Sequence, residues 1–553
     1  MDTYTLENNF LQQSGNKKNK RSRKKFDTNI CDSNMTFQEC ELAILRNAID
    51  ESDIVRGKVM TNNEDVKRML EIVESFIIEK KVLLYGGTAI NNILPAFAQF
   101  YDRNVEIPDY DFYSPTALEH AKELADIFYK AGYIEVEAKA GVHMGTFKVY
   151  VNFIPIADIT QMHQQLYKQL FKDAVVISRI HYTPPNYLRM SMYLELSRPI
   201  GDVSRWEKVL KRLILLNKYF PFKPENDCFS VDFHSAKTPE SSRNDELYIE
   251  TRECFINQGV VFFGGYATSL YSRYMPAEQQ KRLKRYPDFD VLSDEPEKCA
   301  IILKEHLQRF NFKKIKLVHH DEIGDIIPQH IEVRVEDKTV AFIYKPIACH
   351  SYNTLTIKNK EVNVATIDTI LTFYLSFWYA DLKYYDKDRL ICMAKYLFDI
   401  EQHNRLNQRG LLKRFSIKCY GKQMTLTDLR SEKAKKYKEL IKNRKSKEYE
   451  MWFLKYYPHL KYKKGDDFDE KEMEDQLISE EEVEKSLQRI EEKEREEEEK
   501  ASAPEILKKR EKSFIERVIG TPRKSAKRVR KTSNRVLNFF NKTRKNRSSE
   551  FLF

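Results

Sequence analysis

One motif occurs twice in this chain, and the two copies differ at a chemically decisive place. The first reads VLLYGGTAINNILP, then PDYDFYS, then VNFIPIADIT. The second reads VVFFGGYATSLYSR, then PDFDVLS, then IYKPIACHS. Each sets an apolar strand before a Gly-Gly turn, a helix after it, and an Asp-x-Asp pair on a following strand. The Gly-Gly pairs lie about 180 residues apart, the spacing of a duplicated domain and not of a solenoid repeat. Asp109 and Asp111 correspond to Asp288 and Asp290, and Tyr193-Leu194 is echoed by Tyr374-Leu375. With Pro155 aligned to Pro346, the third carboxylate, Asp158, falls on Cys349. One complete unit and one damaged copy are expected.

Strands interleaved with helices predict an α/β (α+β) fold with two tandem domains, each a mixed sheet backed by helices. An N-terminal helical segment precedes them and a charged C-terminal extension follows. The expected boundaries are a basic disordered tail at 1–36, the first domain with its preceding helices at 37–222, and a linker at 223–249. The second domain takes 250–405, a basic aromatic helical region 406–470, and a charged low-complexity tail 471–553.

A net charge of +11 favours a polyanionic partner. The cationic residues gather in blocks: KKNKRSRKK near the start, WFLKYYPHLKYKK, and the last fifty residues. The acidic run 480–500 carries many i,i+4 charge pairs and reads as solvated helix. The 8 cysteines are scattered without a C-x-x-C pair, so reduced, buried cysteines are expected, with neither a disulfide framework nor a structural zinc site. No signal-peptide pattern and no membrane-length apolar run is present, so the chain is expected to be soluble, without a membrane partner.

The first copy carries the chemistry. A Gly-Gly turn between strand and helix lets backbone approach phosphate oxygens, and the helix N-terminus offers free N–H groups to them. Thr88 adds a hydroxyl beside Gly86 and Gly87. On a strand, Asp109 and Asp111 project to one side, and Asp158 joins them from a neighbouring strand. Three close carboxylates suit two divalent cations, Mg²⁺ or Mn²⁺, bridging a nucleoside triphosphate. Asp158 is also the expected acceptor of a proton from an attacking hydroxyl. In the second copy Tyr266 replaces Thr88, and no third carboxylate is evident.

The combination resembles the DNA polymerase beta-like nucleotidyltransferases, and more closely the poly(A) polymerase catalytic subunits of poxviruses and giant DNA viruses. YGGTAINNILP, PDYDFYS, the strand ending ADIT and LSRPIGDVSRWEKVLKRL carry the likeness, over roughly residues 40–400. The resemblance implies AMP transfer from ATP to an RNA 3′ end, with Gly86, Gly87 and Thr88 on the phosphate loop and Asp109, Asp111 and Asp158 as metal ligands. It implies a second, inactive domain, a homodimer or partner subunit, and residence in host cytoplasm or virion. The tails depart from the family pattern. A nucleotidyltransferase of other base preference and a non-catalytic RNA-binding scaffold are the alternatives.

Further candidates each have a plainer reading. Arg205 and Lys208 could reach triphosphate oxygens, with Trp206 stacking, or the three could belong to an ordinary amphipathic helix. Tyr187 and Arg189 are weaker candidates for base or RNA contact. Trp452, Phe453, Tyr456, Tyr457 and Tyr462, interleaved with Lys455, Lys461, Lys463 and Lys464, suit single-stranded RNA or packing against the second domain. His319-His320-Asp321 is expected in a polar loop. Cys349 and His350 are expected to be structural.

Overall fold

The computed structural model describes residues 30–31, 35–102, 104–224, 227–228, 242–281, 283 and 287–462. The N-terminal basic block, Lys463, Lys464, the acidic run and the C-terminal basic segment lie outside these residues.

The chain forms two compact units. The smaller comprises Met1–Arg68 with Asp102–Pro108. Its main element is α1 (Phe37–Thr61), begun by a capping box in which Thr36 and Glu39 each accept from the other's backbone N–H. The return segment lies against α1, where Thr61 Oγ1 donates to the Asn104 carbonyl at 2.7 Å. Helix α2 (Glu64–Lys80) runs from this unit into the larger one.

The larger unit, Met69–Tyr101 with Asp109–Phe553, contains two eight-stranded sheets. In the first, β1 (Leu83–Leu84) leads into α3 (Gly86–Ile93), and β2 (Tyr110–Ser114) leads into α4 (Ala117–Lys130). Then come β3 (Val136–Ala140), β4 (Thr146–Val151), β5 (Ile154–Gln161), α5 (Gln164–Lys172), β6 (Val175–Ile177) and β7 (Ile180–Tyr182). Helices α6 (Pro185–Leu196) and α7 (Trp206–Tyr219) follow, broken at Pro199-Ile200-Gly201. The second half opens with α8 (Ser242–Asn257), β8 (Val261–Phe263), α9 (Gly264–Tyr271), the short α10 (Ala277–Gln280), β9 (Phe289–Leu292) and α11 (Pro296–Arg309). It continues with β10 (Ile315–His320), β11 (His330–Val335), β12 (Lys338–Tyr344), β13 (His350–Ile357), β14 (Lys360–Ala365), α12 (Ile367–Ala380) and α13 (Lys387–His403).

The duplication is legible in the strand orders, β3-β4-β5-β2-β1-β7-β6 and β10-β11-β12-β9-β8-β14-β13. Parallel and antiparallel neighbours match step for step. Two-residue hairpins recur at matching places. Asn152-Phe153 and Ser178-Arg179 answer to Glu336-Asp337 and Lys358-Asn359, all with positive φ as primed turns require.

This topology corrects the alignment of the third carboxylate. Asp111 stands opposite Asp158 across β2 and β5, and Asp290 stands opposite Phe342 across β9 and β12. Phe342, not Cys349, is the counterpart of Asp158. Pro346 lies beyond the end of β12 and does not correspond to Pro155. The expectation of reduced cysteines is also corrected: Cys31–Cys40, Cys228–Cys392 and Cys349–Cys419 are disulfides, and Cys254 and Cys299 are free and buried. Partners 164 residues apart leave no spacing signal in a sequence.

One face of the first sheet is buried through Phe112, Ala138, Phe147, Val149, Ala157 and Ile159, against which Ala121, Leu124 and Phe128 of α4 pack. The other face is half-open, with Asp111, Lys139, Lys148, Asp158 and Thr160 along it. The halves are stitched by α6 and the buried α12, where Ser376 Oγ donates to Met190 Sδ at 2.8 Å and Tyr187 meets Tyr379 edge-on at 5.4 Å.

The region after 405 contributes to both sheets. β15 (Cys419–Tyr420) joins β13, and β16 (Lys455–Tyr456) joins β3. Around them lie α14 (Leu426–Leu440), α15 (Lys447–Phe453) and α16 (Pro458–Tyr462). Tyr456 Oη donates to Asp126, and Tyr457 Oη to Glu137. The aromatic segment therefore packs on the first domain, not the second.

Candidate active site

Strand β1 delivers the chain into the Gly86-Gly87 turn. Gly86 has φ +74°, a left-handed conformation, and a Cβ there would collide with the Asp111 carboxylate. At Gly87 the missing side chain leaves room for the Tyr101 hydroxyl and the Arg212 guanidinium. Thr88 is buried, and its hydroxyl donates to the Asp109 carbonyl at 2.7 Å. That hydroxyl fixes the approach to β2 and is thereby drawn away from the turn. The Tyr85 N–H holds the Asp111 carbonyl at 2.9 Å.

The three carboxylates come together on the half-open face. Asp111 and Asp158 are cross-strand neighbours, while Asp109 stands just before β2. Burial first, then the charges of Asp109 and Asp158, pushes the Asp111 carboxyl up to about 8. Burial and Asp158 also raise Asp109, against the pull of Lys148, Lys208 and Arg212. Lys148 Nζ donates to Asp158 Oδ2 at 2.6 Å. Burial opposes the Lys148 charge, but the bond to Asp158 and its attraction prevail and hold the ammonium above the usual lysine range.

Among the described residues, no three His, Cys, Asp or Glu side chains form a ready-made metal cage. At Asp158 the Lys148 ammonium takes the carboxylate instead. The donor set still fits a hard divalent cation. It offers oxygen ligands only, and it gathers negative charge that a cation would relieve.

Arg205 lies 3.4 Å from Glu195 and draws Asp111 down electrostatically, as Lys208 does Asp109. Trp206 is a packing residue: its Nε1 donates to the Glu195 carbonyl at 3.0 Å and its ring meets Phe415 at 5.8 Å. Tyr187 and Arg189 are buried, and Arg189 is bound to Asn186, Asn217 and the Phe220 carbonyl, so neither reaches RNA. His319 and His320 lie at the end of strand β10, not in a loop, and pair with Glu297 and Glu332. His350 is wholly buried.

Lys148 and Arg212 were missed in the sequence. Lys148 becomes visible only once the β4–β5 hairpin is recognised, because that hairpin puts it opposite Asp158. Arg212 had a signal: it is one helical turn from Lys208 on α7.

Residues 71–202, which contain this turn and all three carboxylates, match the family model described as "Poly(A) polymerase catalytic subunit". The chain resembles viral poly(A) polymerase catalytic subunits. An inferred poly(A) polymerase catalytic subunit of African swine fever virus (isolate Pig/Kenya/KEN-50/1950) is 29% identical over 198 residues, covering 34% of this chain and 41% of the relative. That of Acanthamoeba polyphaga mimivirus is 25% identical over 361 residues, covering 61% and 60%. The chain thus aligns with under two thirds of each relative's length. The crystal structure of the Megavirus polyadenylate synthase shares the fold, with a TM-score of 0.65 at 18% identity over 83% of this chain and 90% of that one.

The second copy keeps the turn and the paired aspartates but surrounds them with different side chains. Its Gly264 repeats the left-handed turn at φ +65° against the Asp290 carboxylate. Phe342 faces Asp290 where the third carboxylate would stand, Tyr385 Oη donates to Asp290 Oδ1 at 2.8 Å, and Arg389 lies 3.6 Å from Asp288. Burial, the largest influence, pushes Asp290 up to about 7. A raised folded-state pKa favours the protonated form, so wild-type stability falls as pH rises from about 4 through 7. Asp290→Asn removes this proton linkage. Melting temperatures at pH 5 and pH 8 should differ less in the variant than in the wild type.

Proposed function

We propose that this chain is a template-independent polynucleotide adenylyltransferase, transferring AMP from ATP to an RNA 3′-hydroxyl. The observation that carries the reading is the side-by-side register of Asp111 and Asp158, with Asp109 adjacent, against the left-handed Gly86 turn. The likeness to poly(A) polymerase catalytic subunits supports adenylate and RNA as the substrates.

In this reading Asp109, Asp111 and Asp158 hold two divalent ions. When bound, these acidify the attacking hydroxyl and steady the leaving pyrophosphate. The 3′-oxygen bonds to the α-phosphorus, and the bond to the β-phosphate breaks. Asp158 accepts the hydroxyl proton, and the Lys148 hydrogen bond holds that carboxylate in place beforehand. The Gly86-Gly87 backbone and the start of α3 face the triphosphate, with Arg205, Lys208 and Arg212 offsetting its charge. Residues 37–222 form the catalytic domain and 250–405 its degenerate copy. The second half supports self-association or a partner subunit, in a protein acting in host cytoplasm or virion.

Labelled oligo-RNA incubated with each nucleoside triphosphate separately, with Mg²⁺ or Mn²⁺, tests this. Long tails with ATP alone are expected, lost in Asp109→Ala/Asp111→Ala and kept in Asp288→Ala/Asp290→Ala. Preference for another nucleotide would reject adenylate as the substrate. Loss of activity only in the second pair would reverse the choice of active copy.

A further inference from the structure

A single register row crosses the half-open face of the first sheet. It runs Asp111 on β2, Asp158 on β5, Lys148 on β4, Lys139 on β3 and Lys455 on β16, each opposite the next. Directly opposed residues share a face, and neighbouring strands lie about 5 Å apart. The three lysines therefore form a line of ammonium groups that starts at the carboxylates and ends at the sheet edge. Lys148 is already bound to Asp158. Lys139 lies over the Tyr150 ring at 4.2 Å and pairs with Glu137 at 3.0 Å. At the edge, Lys139 and Lys455 line a cavity with Lys433, Tyr437, Trp452 and Phe453.

The duplicated half supplies an internal control. Its corresponding row reads Asp290, Phe342, Glu332 and Val318. Glu332 is wholly buried and bound by His320, Arg334 and Thr339. Where the third carboxylate is missing, both corresponding lysine positions carry uncharged or acidic residues. The lysine row goes with the intact site, not with the fold.

We propose that this row is the track for the RNA strand upstream of its 3′ end, with Lys139 and Lys455 meeting successive phosphates and Trp452 stacking a base at the sheet edge. The inference rests on the adenylyltransferase reading and deepens it. A chain of ammonium groups leading to an aromatic-lined cavity has the chemistry that single-stranded nucleic acid requires, and base identity plays no part. Strand β16 comes from the segment at 455–456, so the track is complete only when the C-terminal region has docked on the first sheet.

The test is binding of a fluorescent oligoadenylate, about the span of one site at 4–16 nucleotides, to the full chain over a range of salt concentrations. Lys139→Gln/Lys455→Gln should lower the slope of log affinity against log salt by about 1.4, as expected for two lost phosphate contacts, and weaken binding about tenfold or more at 0.1 M salt. Lys139→Arg/Lys455→Arg should restore both, and Trp452→Ala should weaken binding about tenfold with the slope unchanged. If the wild type extends RNA but the Gln pair leaves slope and affinity as they were, the track is wrong and the adenylyltransferase reading stands. If the wild type neither binds nor extends RNA, both fall.

Discussion

Asp111→Asn should cut RNA extension by about 10³-fold or more while leaving a folded protein. On the adenylyltransferase reading proposed above, the size follows from removing one carboxylate from a site whose bound cations would contribute several kcal/mol to the transition state, at about 1.4 kcal/mol per tenfold in rate. Folding should not suffer. Burial and two neighbouring carboxylates push Asp111 up to about 8, so its ionised form opposes folding at neutral pH. Without divalent ions the variant should melt no lower than the wild type at pH 8. Adding Mn²⁺ should raise the wild-type melting temperature more than the variant's, because binding to the folded state alone stabilises it. A variant that melts far lower, or that keeps wild-type activity, would remove Asp111 from the centre of the site.

Arg414→Ala should produce the largest loss of stability. Arg414 joins two buried carboxylates: Nε and Nη2 donate to Asp368 at 2.8–3.0 Å, and Nη1 lies 3.0 Å from Glu401. Burial pushes Glu401 up to about 8, against the pull of Arg414. The guanidinium also lies over Tyr193 of α6 and next to Phe415, where the two halves meet. Removing one partner from a buried ionic network costs about 3–5 kcal/mol, since the remaining charges stay desolvated. Thermal unfolding should show the loss. Arg414→Lys should recover only part of it, because an ammonium cannot serve two carboxylates with a planar fork. Activity should fall as far as the folded fraction falls, since the ion-pair partners of Arg414 are Asp368 and Glu401 and not the carboxylate row.

Several elements were readable because their signals are local. The Gly-Gly turns, α3, β2, α4 and the helix pair α6–α7 follow from apolar periodicity punctuated by glycine and proline. Other elements were hidden. The hairpins at Asn152-Phe153 and Ser178-Arg179 adopt positive φ without a glycine, so no local signal marks the turns between β4 and β5 or between β6 and β7. The Glu336-Asp337 hairpin between β11 and β12 is equally silent in the sequence, which is why aligning Pro346 with Pro155 put Cys349 in the place that belongs to Phe342. Asp109 and Asp111 were expected on one strand, whereas β2 begins at Tyr110 and Asp109 is held from outside it by Thr88.

The sequence by itself determined that a strand–turn–helix with paired aspartates was duplicated, because that depends on residue identity at short spacing. Tertiary structure decided which residues stand beside them. Lys148 meets Asp158 only through hairpin register, Arg212 meets Gly87 only through the packing of α7, and Lys455 reaches the same row from nearly 300 residues further along the chain. Register between distant strands is set by closing loops and burying one face, and no local pattern records it.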